Sequence, residues 1–536
     1  MRLSSIFSDG MILQRNVPNK IWGRIDDNET IQVLFDGKAL ETSVSGDEWK
    51  SEIPSTKEGG PHQITILSSN NKKTISDVYF GDVFLLGGQS NMELPVIWTT
   101  DCYYDEIISA DFPLIRQFEV PKEPLFGEKK DMLTGGNWVP CTKESVGFFS
   151  AIGFYFAKYK QLKDGIPVGL VQSAVGGAPA ECLMSEENVL QSYEKIAAKY
   201  KDIAPCNGDK SKACLGCYKE KLEKNKQPGY VEKTVKEDLA RMDAWHQDLD
   251  QRDPGLSGNW AEHVWNEDEI VDTIELPKTF YQTQFESYLG SIWVQREVEV
   301  PESWVGKKVQ LRLGTLIDGD VTYFNGMKVG ETGFKYPPRR YWLPDGLLKA
   351  GKNLITVRLI MDQNIGGAVI ETPFCLKNGD DEISLCGKWS VRPGATAEKL
   401  ESMTFFNWEP SALFNGMIYP LRGYACKAVL FYQGESNCDY PQYYGDLLKD
   451  MLNEWRELFG HVPFLMAEVT HWLGEGPIYE SDPFDGVRDV QREVIKEISD
   501  GYLIKTYDLG WYNDLHPQNK KDVAMRFLET YEQIEK

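Results

Sequence analysis

A serine follows two glycines at the end of a short apolar run near residue 90. The run 83–86 leads into the motif GGQSNM at 87–92, in which Ser90 is a candidate nucleophile. Glycine permits a tight turn and a close approach of substrate, and α/β proteins bind ligands at the carboxyl ends of their strands. The helix predicted to follow would direct amide groups towards an oxyanion. A serine that only caps that helix is the alternative interpretation.

His516 is one of six histidines and the one that best fits a general base. It lies in the sequence DLHP, and Asp514 precedes it by two residues. Residues two apart in extended chain share a face, so this carboxylate could reach the imidazole and fix its tautomer. A base held in this way takes the proton of a serine hydroxyl, which is otherwise a weak nucleophile. A histidine hydrogen-bonded only for structure is the alternative.

Two further clusters lie at the ends of predicted strands. In QGESN at 433–437, Gln433 is an uncharged donor suited to an oxyanion hole, and Glu435 is a second candidate partner for His516. Gly177, in the Gly-Gly pair at 176–177, has a backbone amide that could complete the hole. A polar turn that closes a strand would also explain QGESN. The joint occurrence of these clusters at strand ends favours an enzyme.

Strands and helices alternate around these clusters, which is typical of a parallel α/β sheet. The sequence predicts buried strands in VFLL, IPVGLV, KAVLFY, VPFLMAEV and YLIKTYDL. It predicts helices in SAIGFYFAKYKQL, in the charged stretch 190–252, in YYGDLLKDMLNEWRELFG and in KKDVAMRFLETYEQI. The α/β-hydrolase elbow G-x-S-x-G is not matched, because Met92 occupies its last position, so that fold is disfavoured.

Two β-rich stretches accompany this pattern. The first contains the turn Asp36-Gly37, and the second, between about 265 and 395, contains Asn325-Gly326, both strong hairpin signals. The distance from Gly177 to Gln433 is too long for one loop and predicts an insert. We therefore predict an N-terminal β module at 1–75, an α/β catalytic domain in two parts, 76–255 and 401–536, and an inserted β-sandwich at 256–400.

Composition excludes several classes of protein. The chain has 536 residues, with 58 Lys+Arg and 81 Asp+Glu, a net charge of −23. This acidic balance and the lack of a basic run argue against nucleic acid as a partner. No apolar stretch approaches the roughly 20 residues of a membrane span. A hydrophobic share of 41% indicates a folded protein rather than a disordered acidic one.

The cysteines and the first residues bear on the compartment. Cys206, Cys214 and Cys217 could form a disulfide or, with a fourth ligand that the sequence does not supply, a zinc site. We predict no metal. The opening MRLSSIFSDGMILQ lacks the charged start and apolar region of a signal peptide. The protein is therefore either cytoplasmic or has lost its leader.

Five motifs, taken together, resemble one enzyme family. GGQSNMELP, SAVGGAPAE, LFNGMIYPL, FYQGESN and DLGWYNDLHPQNK are similar to the sialate O-acetylesterase branch of the SGNH (GDSL-type) hydrolases. The resemblance implies a three-layer α/β domain with a parallel sheet. The segment that begins GSIWVQREVEVPESWVG resembles the galactose-binding-like sandwich of glycoside hydrolases. SDGMILQRNVPNKIWG is similar to the family's leading β domain.

The resemblance also implies roles for single residues. Ser90 would be the nucleophile and His516 the base, while the amides of Ser90 and Gly177 and the side chain of Gln433 would form the oxyanion hole. Many family members place an aspartate three residues before the histidine, where this chain has Asn513.

Asp514 resembles the acid at the shorter spacing found in this branch of the family and is the favoured acid, with Glu435 as the second candidate. An anionic sialic acid would need a local cation in so acidic a protein, and Arg116 is our candidate. Asn91 and Asn437 are further candidates for substrate or oxyanion contacts.

The reaction implied is removal of O-acetyl groups from sialic acids through a serine acyl-enzyme, without cofactor or metal. An acetylesterase for xylan or another acetylated polysaccharide is the alternative within enzymes. A carbohydrate-binding protein without activity is the alternative from another class. The partner expected in each case is an acetylated sugar or glycan, and the oligomeric state is left open. Family members are usually exported, which favours a periplasmic or secreted protein over a cytoplasmic one.

Overall fold

The first 68 residues form short strands. The structure, a computed structural model, describes residues 1–26, 29–200, 215–473 and 482–535. Its first strands are β1 (Arg2–Leu3), β2 (Ile12–Gln14), β3 (Asn19–Arg24), β4 (Ile31–Phe35), β5 (Lys38–Leu40), β6 (Thr42–Ser45), β7 (Glu48–Ile53) and β8 (Gly59–Ser68). β1, β3, β7 and β6 form one sheet, and β4 pairs with β5 and β8. The predicted turn at Asp36-Gly37 is confirmed, with φ of 47° and 78° between β4 and β5.

Strands and helices alternate from residue 72 to residue 257. The strands are β9 (Lys72–Gly88), β10 (Phe112–Glu119), β11 (Trp138–Cys141) and β12 (Val168–Gln172). The helices are α1 (Ser90–Glu93), α2 (Thr100–Ile108), α3 (Ala151–Asp164), α4 (Glu186–Lys199), α5 (Leu215–Asn225), α6 (Tyr230–Arg252) and α7 (Pro254–Ser257). The predicted helices in SAIGFYFAKYKQL and in the described part of 190–252 are confirmed. Cys206 and Cys214 lie outside the described residues, so the suggested cysteine group is not described.

Residues 272–396 form antiparallel strands, which we call the β unit. They are β13 (Asp272–Leu276), β14 (Gly290–Val300), β15 (Gln310–Leu313), β16 (Leu316–Ile317), β17 (Gly319–Phe324), β18 (Met327–Thr332), β19 (Arg340–Trp342), β20 (Gly351–Met361), β21 (Gly367–Ala368), β22 (Phe374–Asn378), β23 (Asp381–Ser384) and β24 (Gly387–Thr396). The sheet β13-β24-β14-β20-β17-β18 and the sheet β19-β15-β22-β23 share one apolar core. The predicted hairpin at Asn325-Gly326 joins β17 to β18.

The α/β pattern resumes in the last 130 or so residues, as the alternation of helices and buried runs predicts. Its elements are β25 (Ala428–Tyr432), α8 (Pro441–Phe459), β26 (Phe464–Ala467), α9 (Asp485–Glu497), β27 (Gly501–Ile504) and α10 (Lys520–Glu535). The strand predicted in YLIKTYDL is shorter than expected, because Tyr507–Leu509 form a 3₁₀ turn. Residues 510–519, which carry His516, form no regular helix or strand.

A central sheet unites the two α/β segments in the order β11-β10-β12-β9-β25-β26-β27. Neighbours from β10 to β27 run parallel, and only β11 is antiparallel. Side chains alternate between its faces: Val83 and Leu85 pack with α4, α8 and α9, whereas Phe84 and Leu86 pack with α3 and α10. The protein is thus a mixed α/β structure with several sheets, and the carboxyl ends of β9, β12 and β25 meet at one edge.

Strand β9 connects the N-terminal strands directly to the central sheet. It pairs with β2 and β8 in its first half and with β12 and β25 in its second. The boundary predicted between residues 75 and 76 therefore lies inside one strand. N-terminal residues such as Ile21 and Trp49 also belong to the same apolar cluster as Val83. The division into four segments stays a prediction.

Asp253 links the helical segment to the β unit. Its side chain is 1% exposed and accepts hydrogen bonds from Trp293 Nε1 at 3.0 Å and Arg358 Nε at 2.7 Å. Arg358 is also buried, and its second carboxylate partner, Asp250, lies at 2.7 Å with 54% of its side chain exposed. A buried charge that loses its partner is costly, whereas an exposed ion pair adds little.

We expect Asp253→Ala to lower the free energy of unfolding by about 3–5 kcal/mol, because it leaves Arg358 charged and buried without its inner partner. The matched control, Asp250→Ala, should cost less than about 1 kcal/mol. Urea titration followed by circular dichroism checks both. Equal losses would mean that Asp253 does not anchor the β unit through this pair.

Candidate active site

Ser90 and His516 are in contact although 426 residues separate them in the chain. The Ser90 Oγ and His516 Nε2 atoms lie 2.8 Å apart, within hydrogen-bond distance. Ser90 opens α1 at the carboxyl end of β9, and His516 lies in the irregular segment before α10. The pair has the geometry of a hydroxyl and the base that takes its proton.

The parallel register of β9 and β25 places the two strand-end motifs side by side. Gly88 is paired with Tyr432. Gly88 directly precedes QSN at 89–91, and Tyr432 directly precedes QGE at 433–435. Gly88 has φ of 122°, and a Cβ there would lie 2.0 Å from the Tyr432 carbonyl oxygen. Only glycine fits so close an approach with that φ, so Gly88 serves the strand pairing as well as the turn.

Asn91 joins three loops of the site. Its Nδ2 donates to Glu435 Oε1 at 2.6 Å and to the Leu515 carbonyl at 3.2 Å. Leu515 precedes His516, and Asn91 follows Ser90. Asn91 is 1% exposed and both of its amide hydrogens are used. Its structural role therefore differs from the predicted contact with substrate: it holds the serine and histidine loops together.

The His516 imidazole is neutral over the ordinary pH range. Burial, together with the positive charges of Lys520 and Lys335, lowers its pKa to about 3. Among the described residues, its Nδ1 has no hydrogen-bond partner. A neutral imidazole with Nδ1 protonated leaves Nε2 free to accept the Ser90 proton.

Asp514 contacts the backbone of His516. Its Oδ1 accepts the His516 amide N–H at 2.8 Å, and no hydrogen bond joins it to the ring among the described residues. Burial raises the pKa of Asp514 to about 6, although that hydrogen bond and the charge of Lys520 oppose the rise. Asp514 thus fixes the local chain at His516, and a rotation of the buried groups would be needed for it to reach Nδ1.

Glu435 is fully enclosed by the site. Burial raises its pKa, and the hydrogen bond from Asn91 acts in the opposite direction. Its second oxygen, Oε2, has no partner among the described residues. No hydrogen bond links Glu435 to His516, so the structure bonds neither candidate acid to the histidine ring.

Two backbone amides are available near Ser90 to receive an oxyanion. The N–H groups of Ser90 and Gly177 have no acceptor among the described residues. Gly177 has φ of 71°, and a Cβ on the preceding Gly176 would lie 3.7 Å from Ser90 Cβ. The Gly176 amide itself donates to Glu93. Since α1 has only four residues, these two amides, and not a helix dipole, would stabilise the charge.

The side chain of Gln433 is already committed. Its Nε2 donates to the Ala178 carbonyl at 3.2 Å and to Asn437 Oδ1 at 2.7 Å. Asn437 in turn donates to Glu181 Oε2 at 3.0 Å. Gln433, the predicted oxyanion donor, therefore has no amide hydrogen left over and shapes the QGESN loop instead. Asn437 uses one amide hydrogen on Glu181, and its Oδ1 accepts from Gln433 and from the Ala180 amide.

Arg116 is bound away from the nucleophile. Its guanidinium donates to the carbonyls of Gly10 and Asp77 at 2.7 and 2.9 Å and pairs with the Asp77 carboxylate. Only 6% of the residue is exposed. Arg116, our candidate cation for the substrate, thus ties β10 to Gly10 and to Asp77 of β9, and none of its contacts in the described part of the chain is with the residues around Ser90.

Sequence reasoning missed the aromatic residues around the site. Trp408 Nε1 donates to the Gly176 carbonyl at 2.6 Å, and its ring stacks on Phe405 with centroids 4.1 Å apart. Tyr336 packs edge-on against His516 with ring centroids 4.6 Å apart. Neither residue lies in a strand-end motif. The sequence shows only that the chain is rich in aromatic residues, which does not indicate which of them border the site.

Within the described ranges, no group of three or more His, Cys, Asp or Glu residues could hold a metal ion. In the same ranges, no helix has the length and apolar character needed to cross a bilayer. Seven of the described cysteines carry free thiols: Cys102, Cys141, Cys182, Cys375, Cys386, Cys426 and Cys438.

Comparison with known proteins gives partial matches in sequence and a broad match in fold. The chain is 27% identical over 202 residues to human sialate O-acetylesterase and 30% identical over 199 residues to the rat protein. These matches cover 34% of this chain and 39% and 36% of the relatives, so the chain matches well under half the length of each. No family model matches.

A carbohydrate acetylesterase from Xanthomonas citri has a similar fold. The two structures superpose with a TM-score of 0.54 at 20% identity, over 98% of this chain and 73% of the other. At that identity the likeness concerns the fold alone. The resemblance to sialate O-acetylesterases found in the motifs is thus matched by curated relatives with that name.

We expect the reactivity of Ser90 to depend on the charge of Asp514. Above its pKa of about 6 the carboxylate is ionised and stabilises a positive imidazole; below it the group is neutral. The rate of p-nitrophenyl acetate turnover should therefore fall as pH drops through about 6, while His516 itself stays neutral to about pH 3. Asp514→Asn should remove this acidic limb of the pH–rate profile, the fall in rate near pH 6, and should lower the rate by about tenfold to a thousandfold.

Glu435→Gln is the matched control for Asp514→Asn. Its side-chain oxygen still accepts from Asn91, so the loss of rate should be smaller and the limb near pH 6 should stay. A larger loss in Glu435→Gln would give the acid role to Glu435. A wild-type limb near pH 3 would mean that the Asp514 charge is not required.

Proposed function

We propose that this chain is a carbohydrate O-acetylesterase that removes O-acetyl groups from sialic acids through a serine acyl-enzyme. The observation that carries the proposal is the 2.8 Å contact between Ser90 Oγ and His516 Nε2. The unpaired amides of Ser90 and Gly177 support it, since a structural serine would need no such neighbours. The names of the curated relatives supply the acetyl ester and the sugar.

The chain's residues would carry out acyl transfer in two steps. His516 Nε2 takes the Ser90 proton as Oγ attacks the acetyl carbonyl, and the two amides bind the oxyanion. The imidazolium then gives the proton to the sugar oxygen, the C–O ester bond breaks and the sugar leaves. Water attacks the acetyl-serine with His516 again as base, and acetate is released. Each oxyanion donor stabilises the transition state by roughly 3–4 kcal/mol.

An exposed aromatic pair beside the oxyanion amides supports a sugar substrate. Trp408 and Phe405 are 40% and 47% exposed, and they stack on each other next to Gly176 and Gly177. A Cβ on Gly177 would lie 2.2 Å from the Trp408 ring, so the indole edge borders the amide directly. The apolar face of a pyranose ring packs well on such a surface.

Two alternatives differ in substrate and in class. An acetylesterase for xylan or another polysaccharide would use the same Ser90 and His516, and the aromatic pair would suit it equally. A carbohydrate-binding protein without activity would have no use for the close Ser90–His516 contact. Arg116 is already bonded to Gly10 and Asp77, so another residue would have to bind the carboxylate of a sialic acid. A neutral polysaccharide such as xylan needs no such cation, and it therefore stays the alternative substrate.

The finer description of the fold belongs to the same proposal. We interpret the central sheet and its two helical layers as an SGNH-type domain, and the β unit as a galactose-binding-like sandwich inserted into it. We propose a periplasmic or secreted location, with the cytoplasm as alternative. Four of the free thiols, Cys141, Cys182, Cys375 and Cys426, are buried and would be inert in either compartment.

Ser90→Ala tests the proposal first. We expect it to abolish acetate release from 9-O-acetylated sialic acid, acetylated xylan and p-nitrophenyl acetate, because Ser90 carries the hydroxyl that is hydrogen-bonded to His516 Nε2. The far-ultraviolet circular dichroism should stay that of the wild type. Retained turnover would remove Ser90 as nucleophile. No turnover by the wild type on any substrate, with glycan still bound, would favour the binding protein.

Phe405→Ala tests the aromatic surface. We expect the KM for an acetylated sugar to rise by about tenfold, or roughly 1.4 kcal/mol, with little change for p-nitrophenyl acetate. Trp408→Phe keeps a ring but removes the hydrogen bond to Gly176, so it should lower kcat for both substrates. An equal KM for sugar in Phe405→Ala and wild type would exclude Phe405 from sugar binding.

A further inference from the structure

The β unit contacts the segment that carries His516 at three points. We propose, on the basis of the function proposed above, that Arg340 and Tyr336 of the β unit are positioning residues that align His516 with Ser90. The β unit would then be a part of the catalytic machinery rather than only an appended sugar-binding module. Each of the three contacts can be followed from residue to residue.

Arg340 holds the chain that follows the nucleophile. Its Nε and Nη2 donate to the two carboxylate oxygens of Asp101 at 3.0 and 2.6 Å. Its Nη1 and Nη2 also donate to the carbonyls of Ile97 and Trp98 at 2.8 and 3.0 Å. These acceptors lie in the 3₁₀ turn and helix α2 that come after Ser90. A bidentate pair of this kind has a defined orientation as well as strength.

The Arg340–Asp101 pair is buried and strongly ionised. The side chains of Arg340 and Asp101 are 12% and 6% exposed. Burial alone would raise the pKa of Asp101, but the hydrogen bonds and charge of Arg340, the hydrogen bond from Gln518 and the charge of Arg312 hold it below its usual value. Arg312 Nη1 lies 2.9 Å from Asp101 Oδ1. Two cations of the β unit therefore converge on one carboxylate of the α/β domain.

The same guanidinium reaches the histidine segment through Gln518. Arg340 Nη2 donates to Gln518 Oε1 at 3.1 Å, and Gln518 Nε2 donates to Asp101 Oδ2 at 2.9 Å. Arg340, Asp101 and Gln518 thus form a closed ring of hydrogen bonds. Gln518 is 2% exposed and lies two residues after His516, so this ring fixes one end of the segment.

The other end of the segment is held by the loop before β22. The Ile370 amide donates to Asn513 Oδ1 at 3.4 Å, and the Asn513 amide donates to Glu371 Oε1 at 3.2 Å. The Asn513 side chain thus binds the β unit three residues before His516.

Tyr336 covers the imidazole between these two ends. Its ring meets that of His516 edge-on, with centroids 4.6 Å apart at 73°. This contact limits the rotation of His516 and keeps water from one side of it. The charged groups around the imidazole are Lys335 of the β unit, Lys520 of α10 and Asp514 of its own segment.

The segment has a physical need for external support. Residues 510–519 contain no regular helix or strand, so backbone hydrogen bonds of their own do not fix His516. A misplacement of about 1 Å between a base and a nucleophile can cost about a hundredfold in rate. Asn91 and the β unit both contact the segment. The contacts of the β unit form only when that unit is folded in place.

Two variants test the Arg340 link by kinetics on p-nitrophenyl acetate. We expect Arg340→Gln and Gln518→Ala each to lower kcat by about ten- to a hundredfold with less than a threefold change in KM. The double variant should be no slower than the slower single one, because both break one ring. Arg296→Gln is the matched control. Arg296 donates only to carbonyls within the β unit, at 3.0 and 3.4 Å, and should keep the wild-type kcat.

Tyr336 is tested without reference to activity. The NMR titration of His516, identified by its loss in His516→Asn, should shift upward in Tyr336→Ala, because water then reaches the buried imidazole. Tyr336→Phe keeps the ring and should leave the titration unchanged. A merely structural tyrosine would move the melting temperature of Tyr336→Ala and not the His516 titration.

The outcomes separate this inference from the proposed function. Wild type that turns over no ester contradicts the proposed function. The positioning role alone is overturned if the wild type is active and Ser90→Ala is inactive, but Gln518→Ala keeps the full kcat and Tyr336→Ala leaves the His516 titration unshifted. Gln518→Ala keeps the Arg340–Asp101 ion pair, so it tests the link even if Arg340→Gln fails to fold. Additive losses in the double variant would also contradict a single ring.

Discussion

The side-chain amide of Asn91 is the interaction on which the site depends. It is bonded at once to Glu435 after β25 and to the Leu515 carbonyl beside His516, while its own chain neighbour is Ser90. Parallel strands bring β9 and β25 side by side, but they place no constraint on the irregular segment before α10. The Asn91 bonds supply that constraint. Ser90 and His516 meet at 2.8 Å because their neighbours in the chain are joined.

Burial displaces the pKa values of four ionisable groups in the site. Asp514, Glu435, His516 and Lys520 are all enclosed, and each has a pKa displaced towards its neutral form. Displacements of this kind accompany catalytic groups. Lys520 Nζ donates to the Pro517 carbonyl at 2.7 Å, so its charge is held beside the histidine segment. The same low polarity that keeps His516 neutral strengthens the interaction of two backbone amides with a developing oxyanion.

The β unit lies between Ser90 and His516 in the sequence and is bonded to the chain on both sides of it. Arg340 within the unit is bonded to Asp101, in the helix α2 that comes after Ser90, and to Gln518, two residues after His516. The buried Asp253–Arg358 pair also anchors the unit to the helical segment. A β unit fixed at both places can hold a catalytic segment, whereas one on a flexible tether could not.

The sequence by itself determined the alternating strands and helices and the hairpins at Asp36-Gly37 and Asn325-Gly326, because hydrophobic period and turn chemistry are local properties. It also singled out Ser90 and His516 as candidates, because each lies in a short motif. It could not determine which polar side chains still had hydrogens to donate. The sequence marks Gln433 and Asn91 as candidate donors, and the tertiary structure uses both amide hydrogens of each within the loops. Arg116 read as a substrate cation and instead binds Gly10 and Asp77. Tyr336, Arg340 and Trp408 carried no motif, since their place beside the site arises only when segments hundreds of residues apart pack together.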